Sequence, residues 1–181
     1  MANEDDDVAD LVSLAQSGDQ NAVALLIRRY HRHVYQTAFA VLRSRQDAEE
    51  VTQEAFIHMY SKLSQLREAR AFVSWLTTLT TRLSIDLSRR NKRRTTDSFD
   101  EIDENKLGRA SDPLTRAILD EALGRLTPIH RAVLLLRERD GYEYAEIAKM
   151  LKIPIGTVKS RLANARLALT RTLDAKEEKM P

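Results

Sequence analysis

The sequence predicts an all-α chain of two small helical bundles joined by a flexible acidic linker, the second bundle containing a helix-turn-helix. Three observations lead there. Apolar residues recur at three- and four-residue spacing along most of the chain, the period of an amphipathic helix. Only five glycines and four prolines occur in 181 residues, few for a fold rich in tight turns. The periodicity also vanishes between Thr95 and Asp112. There six acids (Asp97, Asp100, Glu101, Asp103, Glu104, Asp112) outnumber two bases (Lys106, Arg109), and only Phe99, Ile102 and Leu107 are large and apolar, too little to bury a core. The expected divisions are residues 8–94, a linker over 95–112, and residues 113–174.

Residues 1–7 read as a disordered acidic lead, and Val8, Leu11, Val12 and Ala15 mark a short helix that stops near Gly18. Asp19 caps a longer helix with Val23, Leu26, Ile27, Tyr30, Val34, Thr37, Ala38 and Val41 on its apolar side. Ser44 followed by Asp47 resembles a capping box, with Asp replacing the usual Glu. The helix it opens runs to about Lys62, with Ala48, Val51, Ala55, Phe56 or Ile57, and Met59 inward. Its other side carries Asp47, Glu49, Glu50, Gln53 and Glu54, an acidic, hydrogen-bonding ridge.

The polar connector SQLREAR, residues 64–70, breaks the pattern, and a fourth helix spans about 71–90. Phe72, Trp75, Leu76, Leu79, Leu83 and Leu87 are expected inward, and Ser74, Thr77, Thr78, Thr81, Arg82 and Arg89 outward, before the basic end RRNKRR at 89–94. Asp112 then Pro113, and Thr127 then Pro128, each pair an N-cap with proline at the first helical position. They open helices through Leu126 and to Asp140, where Gly141 ends the second.

Residues 142–169 form two short helices around a turn. Ala145, Ile147, Ala148 and Leu151 recur at helical spacing in the first, and Val158, Leu162, Ala165 and Leu169 in the second, while Lys152, Ile153 and Pro154 interrupt both. The seam of the second helix leaves Gly156, Ser160, Ala163, Asn164, Leu167 and Arg171 opposite, flanked by Thr157, Lys159, Arg161 and Arg166. No acid occurs from Gly156 to Leu173. Small residues at the helix start admit close approach of a DNA backbone, Arg and Lys bond guanine edges or phosphates, and Asn pairs with adenine. A charged tail, 174–181, closes the chain.

Net charge is only +2, yet acids crowd the first ten residues while cations crowd Arg82–Arg94 and the last helix, which favours an acidic partner for the basic faces. The absence of cysteine removes disulfides, thiol nucleophiles and thiolate zinc sites and fits a reducing cytoplasm. No apolar run of membrane-spanning length and no leader pattern occurs. Glu50, Glu54 and His58 share a spacing that can hold a metal, but no second histidine converges on them, and no GxSxG or P-loop pattern frames the hydroxyl residues. Neither a metal nor a cofactor is expected.

Four stretches, DAEEVTQEAF at 47–56, FVSWLTTLTTRLSIDLSRR at 72–90, LTPIHRAVLLLRERDGYEYAEIAKML at 126–151 and IPIGTVKSRLANAR at 153–166, resemble in order and spacing the bacterial sigma factors of the extracytoplasmic function group. The resemblance implies a cytoplasmic, non-enzymatic transcription initiation factor with a sigma-2 domain before the linker and a sigma-4 domain after it. It implies that Asp47, Glu50, Gln53 and Glu54 meet the β′ clamp helices of core RNA polymerase, with the β flap as a further contact. Ser64, Arg67, Arg70, Ser74, Thr78, Arg82, Arg89 and Arg90 would read and melt the promoter's minus-10 element. Gly156, Thr157, Lys159, Ser160, Arg161, Asn164 and Arg166 would read the minus-35 element. It also implies an inhibitory anti-sigma protein, often one that holds its target at the membrane.

Two departures stand out: Glu143 replaces the usual Ser or Thr cap before the turn, and Lys152 replaces a glycine, which in a left-handed conformation costs on the order of 1 kcal/mol. A free-standing helix-turn-helix regulator, its first half a dimerisation or sensing module, is the alternative reading.

Overall fold

Apolar seams at helical spacing become eight α-helices in the computed structural model, which describes the backbone of residues 2–94 and 113–177 and, within them, the side chains of 6–93 and 119–171. The helices are α1 (Ala2–Gln16), α2 (Gln20–Leu42), α3 (Arg45–Lys62), α4 (Phe72–Arg94), α5 (Pro113–Gly124), α6 (Pro128–Glu138), α7 (Tyr144–Leu151) and α8 (Ile155–Glu177). Two single 3-10 turns, Leu63–Gln65 and Ala69–Ala71, fill the connector before α4. No strand occurs among the described residues, and none of their helices is long and apolar enough to cross a membrane. The linker expected over 95–112 and the Asp112 cap lie outside them.

The first four helices enclose one core. Val12, Leu26, Val34, Met59, Phe72 and Leu76 are fully buried there, and Trp75 packs against them from the edge. Phe56 takes the inward place on α3 and Ile57 is left 69% exposed, which settles the two-way choice of the periodicity. The acidic lead is helical from Ala2. Negative charge is favourable beside the free N–H groups that begin a helix, and Asp6 and Asp7 pair with Arg70 (2.7 Å) and Arg29 (3.7 Å). A second core joins α5 to α8 through Leu126, Val133, Leu136, Ile147, Val158 and Leu162, and α8 continues through residues 174–177 of the expected tail.

Caps follow the chemistry of their residues. Asp19 accepts from the N–H groups of Asn21 and Ala22, and Ser44 accepts from that of Asp47 at 3.2 Å. The Asp47 carboxylate does not return to Ser44; it accepts from Asn91 Nδ2 at 3.3 Å. At the head of α7, Glu146 accepts the Glu143 N–H at 2.7 Å while Glu143 pairs with Arg137, also at 2.7 Å, so a glutamate serves at a cap position that usually favours Ser or Thr. Lys152 adopts the left-handed conformation at φ 54°, as the turn demands, and its N–H closes α7 on Ala148 and Lys149.

The two halves meet along α4. Thr77 and Thr81, expected outward, are 2% and 1% exposed, because α6 and α7 cover the side of α4 turned away from the first core. Val41, Ile85 and Ala132 form a small apolar seam there. Beside it His33 shares a hydrogen bond of 2.9 Å with Thr77, which also bonds Tyr142. The buried Arg131 on α6 donates Nε to the Val41 carbonyl that ends α2 (2.8 Å) and Nη1 to the Leu123 carbonyl of α5 (3.1 Å). Burial and the nearby charge of Arg43 push the Arg131 guanidinium down to about 10, so it stays charged at neutral pH. Arg43 itself, at φ 63° after α2, pairs with Asp120 at 3.2 Å.

Two outcomes follow from these contacts. Lys152→Gly removes the left-handed strain and should raise the unfolding free energy by about 0.5–1 kcal/mol in urea titrations. Burial first, then the charge of Arg139, lowers the pKa of His33 against the opposing pull of Asp140. Its contribution is therefore complete above the ordinary histidine value and lost as pH falls below it, so the melting temperature should drop as pH falls below about 6.5, less steeply in His33→Gln.

Candidate nucleic-acid interface

The helix-turn-helix is built on an apolar wedge. Ile147 and Met150 of α7 pack on Val158, Leu162 and Ala165 of α8, and the Lys152–Pro154 turn sets the second helix across the first. Arg137 braces the pair from α6, stacked 5.1 Å over the Tyr144 ring and donating to the Tyr142 carbonyl. With its seam held inward, α8 exposes Gly156, Lys159, Ser160, Ala163, Asn164 and Leu167 on one continuous strip. This strip has small residues at the helix start, one cation and one amide capable of paired hydrogen bonds, the chemistry that a major groove accepts.

The flanking residues differ. Thr157 is half-buried, and its carbonyl accepts the Ser160 hydroxyl at 3.1 Å. Arg166 is exposed but bonded to Glu138 of α6. Arg161 leans back towards His130 at the start of α6, with Nη1 buried and unbonded, and its charge adds to burial in lowering the pKa of His130. A guanidinium so placed lies at the edge of the exposed strip.

The connector and α4 hold the second set of candidates. Ser64, Arg67 and Arg70 are exposed around the two 3-10 turns. Ser74 and Thr78 are half-buried and donate to the carbonyls of Ala71 and Ser74, at 3.0 and 2.7 Å. Arg82 lies on the covered side of α4 and donates Nε to the Met150 carbonyl at 2.5 Å and Nη2 to that of Lys149 at 3.2 Å, both at the end of α7. Arg89 pairs with Asp86 (3.6 Å) and Arg90 with Glu54 (3.5 Å). The connector, α4 and α8 thus lie on a single body, with Arg82 touching α7 directly.

On α3 the ridge divides in two. Glu50 and Gln53 face solvent, whereas Asp47 and Glu54 are tied to Asn91 and Arg90 at the basic end of α4. Glu54 also lies 3.7 Å from His58, and no cluster able to hold a metal ion occurs among the described residues. A groove of about 250 Å³ between α2 and α3 is lined by His31, Tyr35, Glu49, Thr52 and Gln53. The partners of Arg70, Arg90 and Arg166, namely Asp6, Glu54 and Glu138, come from distant parts of the chain, and no spacing in the sequence announces these pairs.

Comparison with known proteins matches a family to each half of the chain. The Sigma-70 region 2 family matches residues 26–94, and the Sigma-70, region 4 family matches residues 116–169. The ECF RNA polymerase sigma factor SigM of Mycobacterium tuberculosis is 32% identical over 165 residues, 91% of this chain and 84% of that one. Among solved structures, CnrH in complex with the cytosolic domain of CnrY superposes with a TM-score of 0.64 at 26% identity, over 93% of this chain and 97% of that one. The fold is also that of the sigma factor RpoE of Bartonella quintana, solved with the anti-sigma factor NepR, with a TM-score of 0.68 at 21% identity over 83% and 96% of the two chains. With both sigma regions in order and this identity across most of both chains, the protein belongs to the ECF sigma factors of RNA polymerase.

Proposed function

We propose that the chain is the promoter-specificity subunit of a bacterial RNA polymerase, working from the cytoplasm and contributing surfaces rather than catalytic groups. One observation carries the division of labour. The same chain presents a solvent-facing acidic and amide edge on α3 (Glu50, Gln53) and, on a separate helix, the small, cationic and amide strip of α8. An acidic edge is repelled by DNA and suits a protein partner, while the α8 strip suits a groove. Residues 8–94 therefore take the polymerase clamp and the minus-10 element, and 113–174 take the minus-35 element and the β flap.

The connector with α4 supplies polar and cationic groups suited to single-stranded bases and phosphates. Ser64, Arg67, Arg70, Ser74, Thr78, Arg82, Arg89 and Arg90 are assigned there, and Gly156, Thr157, Lys159, Ser160, Arg161, Asn164 and Arg166 to the duplex. The NepR complex of a protein with this fold supports an anti-sigma factor as a further partner. A free-standing regulator would account for α7 and α8 but would leave the α3 edge without a role.

Glu50 tests the polymerase contact with little structural cost, since it is exposed and no ion pair joins it among the described residues. Glu50→Lys should keep its helicity by circular dichroism and its affinity for duplex DNA, yet lose co-migration with core polymerase; retained co-migration would remove the α3 assignment. On a promoter recovered by run-off transcription, Asn164→Ala should weaken holoenzyme binding by about 1–3 kcal/mol for the cognate minus-35 sequence only. Lys159→Ala should weaken cognate and scrambled sequences alike and reduce the logarithmic salt slope by about one. Equal losses on both sequences for Asn164→Ala would sink its role as a base reader.

A further inference from the structure

Arg161 brings a guanidinium to the junction of α8 and α6 with nothing there to receive it. Arg166, further along α8, is bonded to Glu138, whereas Arg161 makes no hydrogen bond among the described residues and buries Nη1 without a partner. A donor shut away from both water and protein is unfavourable, so this guanidinium gives up no bond when an acceptor arrives. The group it leans towards, His130 in the first turn of α6, is half-buried and has Nδ1 2.8 Å from the Thr127 hydroxyl. A hydroxyl both donates and accepts, so it keeps this bond whether the ring is neutral or charged, and Nε2 is left for an outside partner.

Burial first, and then the charge of Arg161, hold the His130 ring below the ordinary histidine pKa. The other charges around α6 are engaged elsewhere. Arg131 on the same helix meets the Val41 and Leu123 carbonyls, Arg125 before it pairs with Glu121, Arg43 after α2 pairs with Asp120, Arg82 of α4 meets the end of α7, and Glu143 at the head of α7 pairs with Arg137. No carboxylate among the described residues acts on the ring. A guanidinium beside an imidazole with no acid between them disfavours the charged ring, and an anion placed between them reverses that balance. The position says which anion. A helix with its side chains is about 10–12 Å across and the major groove about 12 Å wide, so a helix seated there carries its flanking side chains to the phosphate rails. With Gly156, Ser160, Ala163 and Asn164 turned to the base edges, Arg161 stands on the flank beside α6, at a rail rather than at the groove floor.

We infer that Arg161 and His130 together grip one phosphate of the minus-35 duplex, and that closing this grip takes a proton from solvent onto the His130 ring, so that the chain holds its promoter more tightly as pH falls. The inference rests on the assignment of α8 to that duplex. In the gripped form Nδ1–H donates to the Thr127 oxygen, while Nε2–H and the guanidinium donate to phosphate oxygens. Phosphate raises a ring pKa that the free protein depresses, so affinity is constant above both values, rises as pH falls between them, and levels off below both. Each unit between the two values is worth about tenfold in affinity.

Holoenzyme made with the full chain, titrated by fluorescence anisotropy at constant ionic strength onto a promoter duplex recovered by run-off transcription, tests it. Wild type should gain at least about fivefold in affinity from about pH 8 to about pH 6 beyond any gain in His130→Gln, whose amide can still bond Thr127 but cannot take a charge. At about pH 8, where the ring is neutral, the two should agree within about twofold. Should His130→Gln lose helicity, His130→Asn replaces it. Arg161→Ala should weaken cognate and scrambled minus-35 sequences alike and lower the logarithmic salt slope by about one. Methylphosphonates, which remove one phosphate charge at a time, should reveal a position that abolishes the pH difference between wild type and His130→Gln.

Coincident pH profiles for wild type and His130→Gln, no phosphate position that removes their difference, or an Arg161→Ala loss confined to the cognate sequence overturns the inference. If Lys159→Ala still weakens binding in that case, α8 stays on the duplex; if Lys159→Ala and Arg161→Ala are both without effect, the assignment of α8 falls as well. Where the chain binds no core polymerase, the polymerase reading falls separately, and the same comparison with the free chain on a duplex of about 30 base pairs at low salt decides the grip.

Discussion

The guanidinium of Arg131 is the constraint around which the two halves are arranged. A cation this deeply buried is costly unless its donors are met, and the carbonyls that meet them belong to α2 and α5, on opposite sides of the seam. Arg43 lies close enough to lower its pKa, so the Arg43–Asp120 pair is needed to balance two positive charges at one junction. Removing one member of such a set leaves a buried charge uncompensated, a loss of about 3–5 kcal/mol in comparable cases. The seam is thus specified by charge and direction, and the small apolar contact of Val41, Ile85 and Ala132 fills the space that remains.

That constraint explains why α4 is a helix with two buried sides. Its leucines and Phe72 face the first core, as an amphipathic helix requires, and its hydroxyl side is buried as well. Thr80 and Ser84 satisfy themselves on the Leu76 and Thr80 carbonyls of their own helix, so burial leaves no unmet donor there. Hydroxyls that bond within their own helix keep their hydrogen bonds under a covering helix.

The same economy appears in the charges. Several cations assigned to DNA already hold acids of this chain: Arg70 with Asp6, Arg90 with Glu54, and Arg166 with Glu138. These pairs are largely exposed, and pairs of this kind contribute at most about 1 kcal/mol each, so phosphates readily replace the acids. The Asp6 and Asp7 contacts give the acidic lead a place on the body of the protein, consistent with the segregation of charge along the sequence.

The sequence by itself determined the helices, most of their inward faces, the turn of the helix-turn-helix and the family. Each rests on spacing within a few residues, or on motifs such as DAEEVTQEAF that are contiguous. It also marked Lys152 as the left-handed residue of the turn, because a tight helix exit needs that conformation whichever residue stands there. Only the tertiary structure decided between Phe56 and Ile57, turned Arg161 back towards His130, tied Asp47 and Glu54 to α4, and buried Thr77 and Thr81. Those choices depend on which helix lies alongside, and the pairs involved are separated by up to some ninety residues, as between Val41 and Arg131. Periodicity reports that a face is apolar or polar; it carries no information on whether a polar face will be covered by a partner that supplies its own carbonyls.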